Sequence, residues 1–114
     1  MKKAYIKRNE APGFDVSVAD WFFLRLRGLI GRNPEEFGPL LIIPCSDIHT
    51  FFMSAAIDVI YVNKHGTILK VDPAVAPRKI CPPVKGCKYV VELPAGKADE
   101  LKIKESETWE VIYK

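Results

Sequence analysis

The feature that most constrains the fold is a pair of β-rich segments joined by a turn signal. Residues 57–62 (IDVIYV) and 67–71 (TILKV) flank the tetrapeptide NKHG at positions 63–66. β-Branched and aromatic residues favour strands, and a glycine at position 66 can adopt the left-handed conformation that a tight turn needs. The sequence therefore predicts an antiparallel hairpin near the middle of the chain.

Other short segments have the same character. Residues 40–43 form a continuous apolar run that ends at Pro44, which is typical of a strand buried on both faces. Further strands are predicted at residues 4–7, 88–93 and 108–113. No strand–helix–strand alternation appears, so a doubly wound sheet is not expected. About five to six strands with few helices predict a mainly β fold (α+β by count), either a small β barrel or a sandwich.

One full helix is predicted at residues 16–29. Ser17 can cap its N-terminus, and Asp20 takes the acidic place three residues later. Its apolar face would comprise Val18, Trp21, Phe22, Leu24, Leu26 and Leu29. We expect this helix to cover one end of the barrel. A second, short helix is predicted to open at Pro94–Gly96 and to run through Leu101, and residues 33–39 are predicted to form a loop.

The length of the chain, 114 residues, predicts a single domain over residues 1–114. The longest purely apolar run, residues 40–43, is far shorter than the ~20 residues of a membrane span. No apolar segment of the kind found in secretory signals follows the basic start of the chain. These features predict a cytoplasmic protein without membrane association.

Three cysteines, Cys45, Cys81 and Cys87, form an odd set without CxxC spacing. The pattern predicts three reduced thiols and neither a metal nor another cofactor. Two alternatives stay open: a disulfide between Cys81 and Cys87, and a zinc site that uses Cys45 with His49.

The positive charges are concentrated in two stretches of the chain, whose net charge is +3. Residues 1–32 and 64–88 are both rich in Lys and Arg, and together they would favour an anionic partner. The cations are nevertheless scattered singly, without the Arg-rich runs or interleaved aromatics of an RNA-binding surface, so no specific nucleic-acid binding is expected. The partners that remain are a small anionic ligand and another protein.

A candidate site is predicted in residues 44–53 (PCSDIHTFFM), which combine polar and aromatic side chains without a clean period. Polar side chains between buried strands must find hydrogen-bond partners or face a cavity. Asp58 lies in the next apolar strand, where a carboxylate is costly unless it is paired. We therefore predict that His49, Thr50 and Asp58 converge on one ligand pocket, with Arg27 or Arg32 at its edge.

Other interpretations of these residues remain. His49 could be a buried imidazole satisfied by the backbone and by Asp58, and Asp58 could be satisfied by an arginine or by backbone amides. Cys45 and His49 could form a nucleophile–base pair, which leaves the catalytic residues of any enzyme unknown. A binding or accessory domain is the preferred function. A structural or protein-interaction module and a hydrolase or transferase are the alternatives.

Several segments together resemble a known family. They are residues 27–32 (RGLIGR), 38–42 (GPLLI), 48–53 (IHTFFM), 57–61 (IDVIY) and 91–96 (VELPAG). In this order they resemble the domain-of-unknown-function 192 family, also called uncharacterised protein family 0127, over about residues 15–112. The resemblance implies a β barrel or sandwich with a covering helix, and no established activity, cofactor or catalytic residue. Ser54–Ala56 and Glu105–Glu107 depart from the Arg-Pro and Gly-Asp pairs frequent in the family, so no role of those pairs can be transferred.

Overall fold

A computed structural model describes residues 1–20, 33–51 and 53–114, which form a seven-stranded sheet and a small two-stranded sheet. The strands are β1 (Lys2–Arg8), β2 (Phe14–Ala19), β3 (Leu40–Ile42), β4 (Ile48–His49), β5 (Ile57–Asn63), β6 (Ile68–Val75), β7 (Ile80–Cys81), β8 (Cys87–Pro94) and β9 (Trp109–Tyr113). The helices are α1 (Pro34–Phe37) and α2 (Lys97–Glu100). The predicted mainly β fold is confirmed, with nine strands in the described residues rather than five to six.

The large sheet curls until its two outer strands meet. Its strand order is β6-β5-β8-β3-β2-β1-β9, and only β2 and β3 are parallel. Thr67, before β6, bridges Thr108, before β9, and the Ile68 amide donates a hydrogen bond of 2.9 Å to the Glu107 carbonyl. These contacts, which we call the seam, join the two edges of the half-barrel. The predicted hairpin is also confirmed, since β5 and β6 are antiparallel neighbours and Gly66 has a φ of +84°.

Apolar side chains pack on both faces of the large sheet. One cluster fills the inside of the curl, because it draws residues from both outer strands and from those between them; it includes Ile6, Leu41, Ile60, Ile68 and Trp109. A second cluster covers the other face and includes Ile42, Val59, Tyr61, Val90 and, from outside the sheet, Met53 and Cys81. The small sheet of β4 and β7 therefore lies over the second face, where Ile48 and Cys81 pack into the second cluster.

The predicted helix at residues 16–29 is wrong at its start. Val16 and Val18 belong to β2, where they pair with Ala4 and Lys2 of β1. Ser17 lies within this strand and caps no helix, and its hydroxyl accepts a hydrogen bond of 2.7 Å from Lys3 Nζ. β-Branched residues at alternate positions suit a strand, and pairing on both sides of β2 outweighs the helical spacing of the apolar residues. The rest of that prediction, residues 21–32, lies outside the described residues.

The two described helices are single turns. α1 lies within the predicted loop 33–39, and the side chain of Asn33 caps it by accepting a hydrogen bond of 3.0 Å from the Glu35 amide. α2 confirms the predicted short helix, although it is shorter than expected. Within the described ranges, no helix is long and apolar enough to cross a membrane.

Candidate functional site

Thr50 is fully buried, and most of its hydrogen bonds are to one backbone segment, residues 76–79. Its hydroxyl donates to the Ala76 carbonyl (2.7 Å) and accepts from the Lys79 amide (2.8 Å). Its own amide donates to the Lys79 carbonyl (2.8 Å), and its carbonyl accepts from the Arg78 amide (3.1 Å). Thr50 therefore fixes the path of this segment as it enters β7.

Asp58, in β5, is also buried, and both of its oxygens accept hydrogen bonds from backbone amides. Oδ1 accepts from the Ala74 amide and Oδ2 from the Ala98 amide, each at 2.8 Å. The carboxylate thus joins the end of β6 to the start of α2. Of the interpretations open for Asp58, satisfaction by backbone amides is the one that the structure bears out.

His49 lies apart from these two groups. It is exposed, it pairs with Ile80 between β4 and β7, and its ring lies 5.3 Å from that of Phe51 with an interplanar angle of 32°. The alternative of a buried imidazole satisfied by Asp58 is therefore wrong. With only two residues in β4, the side chain that follows the inward-facing Ile48 turns to the surface.

A groove of about 730 Å³ lies beside Thr50, and we call it the Arg78 groove. The described residues that line it are Phe51, Met53, Pro77 and Arg78. Arg78 adopts a left-handed backbone conformation, with a φ of +66°. Within the described part of the chain its guanidinium makes no ion pair or hydrogen bond.

Of the predicted site residues, Thr50 and Asp58 act on the same stretch of backbone, residues 74–79. The Thr50 hydroxyl and Asp58 Oδ1 are occupied by that backbone, Asp58 Oδ2 is occupied by the Ala98 amide, and His49 lies at the surface. Arg27 and Arg32 lie outside the described residues. A ligand pocket around His49, Thr50 and Asp58 stays a prediction.

A second buried acid, Glu92 of β8, lies on the face of the sheet that carries the second cluster. It pairs with Val59 and Leu40, and its Oε1 has no hydrogen-bond partner among the described residues. Burial raises the pKa of this carboxyl to about 7. The Tyr61 hydroxyl on the neighbouring strand is buried in the same way. The Glu92 carboxyl is costly where it lies, because Oε1 gains no hydrogen bond from the described chain in return for its lost hydration.

The three cysteines are free thiols. Burial raises the pKa of Cys45 to about 11, and it also raises the pKa values of Cys81 and Cys87. An activated nucleophile needs the opposite shift, because the thiolate is the reactive form. The Cys45 thiol donates to the Asp47 carbonyl (3.1 Å), so the structure gives no support to a Cys45–His49 catalytic pair. Among the described residues, no group of three His, Cys, Asp or Glu side chains could hold a metal ion.

Sequence reasoning missed Arg78 and Glu92. A signal for Glu92 existed, since an acid between Val91 and Leu93 in an apolar strand is the same anomaly that singled out Asp58. Arg78 had none. Its left-handed conformation follows from hydrogen bonds to a residue 28 positions away in the chain, Thr50.

Comparisons with known proteins agree with this fold. The model of the DUF192 family, described as "Uncharacterized ACR", matches residues 4–111. A UPF0127 protein of Thermococcus sibiricus is 34% identical over 103 residues, which are 84% of this chain and 66% of that protein. A UPF0127 protein of Pyrococcus abyssi is 37% identical over 93 residues, 77% of this chain and 78% of that protein.

A solved structure of a protein of unknown function from Novosphingobium aromaticivorans has a TM-score of 0.78 to this chain at 17% identity. The match covers 95% of this chain and 83% of that one, and at this identity it shows the fold alone. None of these three proteins bears the name of an activity. The family match, which spans β1 to β9, confirms the resemblance found in the sequence: the chain belongs to the DUF192 (UPF0127) family of uncharacterised proteins.

Proposed function

We propose that this protein is a small binding domain that holds an anionic ligand in the Arg78 groove. One observation carries the proposal: Arg78 is a cation at the groove, unpaired within the described chain and held on a left-handed backbone by a fully buried threonine. The sequence predicts a polar pocket from His49, Thr50 and Asp58. In this proposal Thr50 and Asp58 position the backbone, His49 lies at the rim, and Arg78 contacts the ligand.

The conformation of Arg78 has an energetic cost. A left-handed residue other than glycine costs roughly 1–2 kcal/mol, because its Cβ approaches a neighbouring carbonyl oxygen. Such strain persists only where the surroundings impose it, and it is concentrated at functional sites. The Thr50 carbonyl holds Arg78 in this conformation by accepting a hydrogen bond from its amide. Asp58 anchors the start of the same segment at Ala74. A purely structural turn would be more stable with glycine at this position.

The stretch of chain that contains Arg78 carries only positive charges. Residues 76–88 contain four cations, Arg78, Lys79, Lys85 and Lys88, and no acidic residue. A cluster of one sign raises the local concentration of oppositely charged ligands and speeds their association. Arg78 is the member of this set that lines the groove.

The test compares two neighbouring cations. Arg78→Gln and Lys79→Gln each remove one charge from exposed, adjacent positions, but only Arg78 lines the groove. Isothermal titration calorimetry with benzoate and butyrate should show an affinity loss of about tenfold for Arg78→Gln, the value of one charge-assisted hydrogen-bonded contact. Lys79→Gln should stay within about twofold of the wild type, since an exposed charge contributes little.

Equal losses in the two variants would mean that the anions respond to the general field and not to a site. Absence of binding for both carboxylates in the wild type would also contradict the proposal. Circular dichroism of each variant checks that the fold is intact, so that a loss of affinity can be assigned to the side chain.

A protein-interaction module is the second candidate, because Ile80 is 72% exposed opposite His49 in the small sheet. Large exposed apolar side chains next to an aromatic pair are common at protein interfaces. Ile80→Ser should leave carboxylate binding unchanged if the groove is a small-molecule site. A reduction comparable to that of Arg78→Gln would place Ile80 in the same contact surface.

We also propose a cytoplasmic location. Three free thiols, of which Cys81 is buried, are typical of proteins in reducing compartments. Thiol labelling of the denatured protein, isolated from its native cells under alkylating conditions, should find all three cysteines reduced.

A further inference from the structure

The described lining of the Arg78 groove is apolar apart from one cation. Phe51, Met53 and Pro77 supply the apolar surface and Arg78 the charge. Its volume of about 730 Å³ falls within the range of small-molecule sites, which are mostly apolar with a few polar groups that fix orientation. A ligand that matches this lining has an apolar body and one anionic group.

One aromatic ring forms part of the described lining, and a second lies beside it. Phe51 lines the groove, is 37% exposed, and continues into the His49 ring, 5.3 Å away at an angle of 32°. Ring faces attract other flat rings in offset or edge-on arrangements, beyond the contribution of the area that they bury. The apolar body of the ligand should therefore be flat.

The anionic group should be a carboxylate. The planar guanidinium of arginine matches a carboxylate with two parallel hydrogen bonds. A phosphate ester carries nearly two negative charges at neutral pH, and sites for it commonly provide several donors or cations. In the described lining, Arg78 is the only cation.

We propose that the ligand of the Arg78 groove is a flat aromatic carboxylate, in which the ring lies against Phe51 and the carboxylate pairs with Arg78. This inference rests on the proposed function and adds the chemical class of the ligand. It assigns Phe51 the role of selecting aromatic over aliphatic acids.

The experiment uses ligands of one carbon framework. 2-Naphthoate is flat, decahydro-2-naphthoate is the saturated acid on the same framework, and 2-naphthamide keeps the ring but has no charge. Calorimetry on the intact chain should show that 2-naphthoate binds about threefold to tenfold more tightly than the saturated acid, the range for an aromatic contact. The affinity of the amide should be lower than that of 2-naphthoate by about tenfold or more, because the amide cannot form the charged pair.

Phe51→Leu keeps an apolar side chain and removes the ring face. We expect this variant to bind both acids equally and to keep its dependence on Arg78. Phe14→Leu is the matched control, because Phe14 makes a ring contact with Trp109 at 5.5 Å and does not line the groove. This variant should retain the preference for 2-naphthoate.

The outcomes separate this inference from the proposed function. Equal affinity of the wild type for the flat and the saturated acid, each reduced by Arg78→Gln, would overturn the aromatic ligand and leave the anion site in place. Phosphate binding more tightly than 2-naphthoate would overturn the carboxylate. Acid binding that does not depend on Arg78 would overturn both proposals. The comparison of ligands on the wild type decides the question even if Phe51→Leu fails to fold.

Discussion

Glu92 has a carboxyl group at a position where burial opposes its charge. The unfolded carboxyl ionises near its ordinary pKa of 4.5, whereas the folded one keeps its proton to about pH 7. Between these values the folded state binds more protons, so the free energy of unfolding should fall as the pH rises. The total fall should be on the order of 3 kcal/mol, and it should be complete above pH 7.

Urea unfolding at pH 5 and pH 8 tests this prediction. Glu92→Gln cannot ionise and should lose most of the pH dependence, whereas the exposed Glu36→Gln should keep it. A wild type that gains stability between these two pH values would contradict the raised pKa of Glu92.

Arg78 and Ala74 both have positive φ values, +66° and +50°, and only Arg78 lines the groove. Glycine relieves the strain of a left-handed conformation, so Arg78→Gly and Ala74→Gly should each raise the free energy of unfolding by about 1 kcal/mol. Arg78→Gly should also weaken carboxylate binding by about tenfold, as Arg78→Gln should, whereas Ala74→Gly should preserve it. Chemical unfolding and calorimetry on the same samples measure both effects, and a destabilised Arg78→Gly would show that the side chain is needed for the fold.

At this scale the sequence identifies which polar residues need partners but not what those partners are. Thr50 and Asp58 stand out because they lie among apolar residues, and both prove to be fully hydrogen-bonded. Their partners are backbone amides and carbonyls of residues 74–79 and of Ala98, whose side chains show no sign of the pairing. The surface position of His49 depends on the pairing of β4 with β7, two strands of two residues each, which are too short to show a pattern.

Among the elements, strands are predictable where turn residues bound them, as with β5, β6 and β8. β2 was missed because Val16, Val18, Trp21 and Phe22 fit a helical period as well as an alternating one. Partners decide between the two patterns, and those of β2 are β1 on one side and the parallel β3 on the other. A parallel neighbour leaves no local signal in the sequence, since it is not reached through a tight turn.

An ion pair ties β1 to the loop before β9. Arg8 Nε and Nη2 donate to the two Glu107 oxygens at 2.7 Å and 2.9 Å, and the Arg8 side chain is only 2% exposed. Glu107→Gln leaves a buried guanidinium without its counter-charge, so we expect a loss of about 3 kcal/mol in the free energy of unfolding.

The matched control is Glu100→Gln. It breaks the exposed pair of Lys97 and Glu100, whose side chains are 39% and 67% exposed, and it should cost about 0.5 kcal/mol or less. Urea denaturation of the two variants compares them directly. Similar losses in the free energy of unfolding would show that the buried Arg8–Glu107 pair stabilises the fold no more than the exposed pair does.

At the scale of the whole molecule, the seam between β6 and β9 decides whether the two edges of the curled sheet stay joined or separate. The seam joins residues about 40 positions apart through the Thr67–Thr108 bridge and through the Trp109 amide, which donates to the Gly66 carbonyl at 2.7 Å. The sequence predicts the hairpin around Gly66 from local signals. That this turn also contacts β9 cannot be read from the chain, because the contact is set by the curl of seven strands.

Gly66→Ala tests the seam. A Cβ at position 66 would lie 2.1 Å from the Trp109 carbonyl oxygen, and the φ of +84° adds backbone strain. Gly96→Ala is the control, since Gly96 has a φ of +90° but no described atom within 4 Å of the added Cβ. Strain alone should lower the free energy of unfolding of Gly96→Ala by about 1–2 kcal/mol. The clash should take the loss in Gly66→Ala to about 3–4 kcal/mol, because crowding in a packed site adds a similar amount.

Hydrogen exchange should also speed up at the Ile68, Ser106 and Trp109 amides, which form the seam, and not at the paired amides of β8. Equal losses in the two variants, with the seam amides exchanging faster only in Gly66→Ala, would mean that β6 and β9 separate without cost and that the closure does not hold the barrel together.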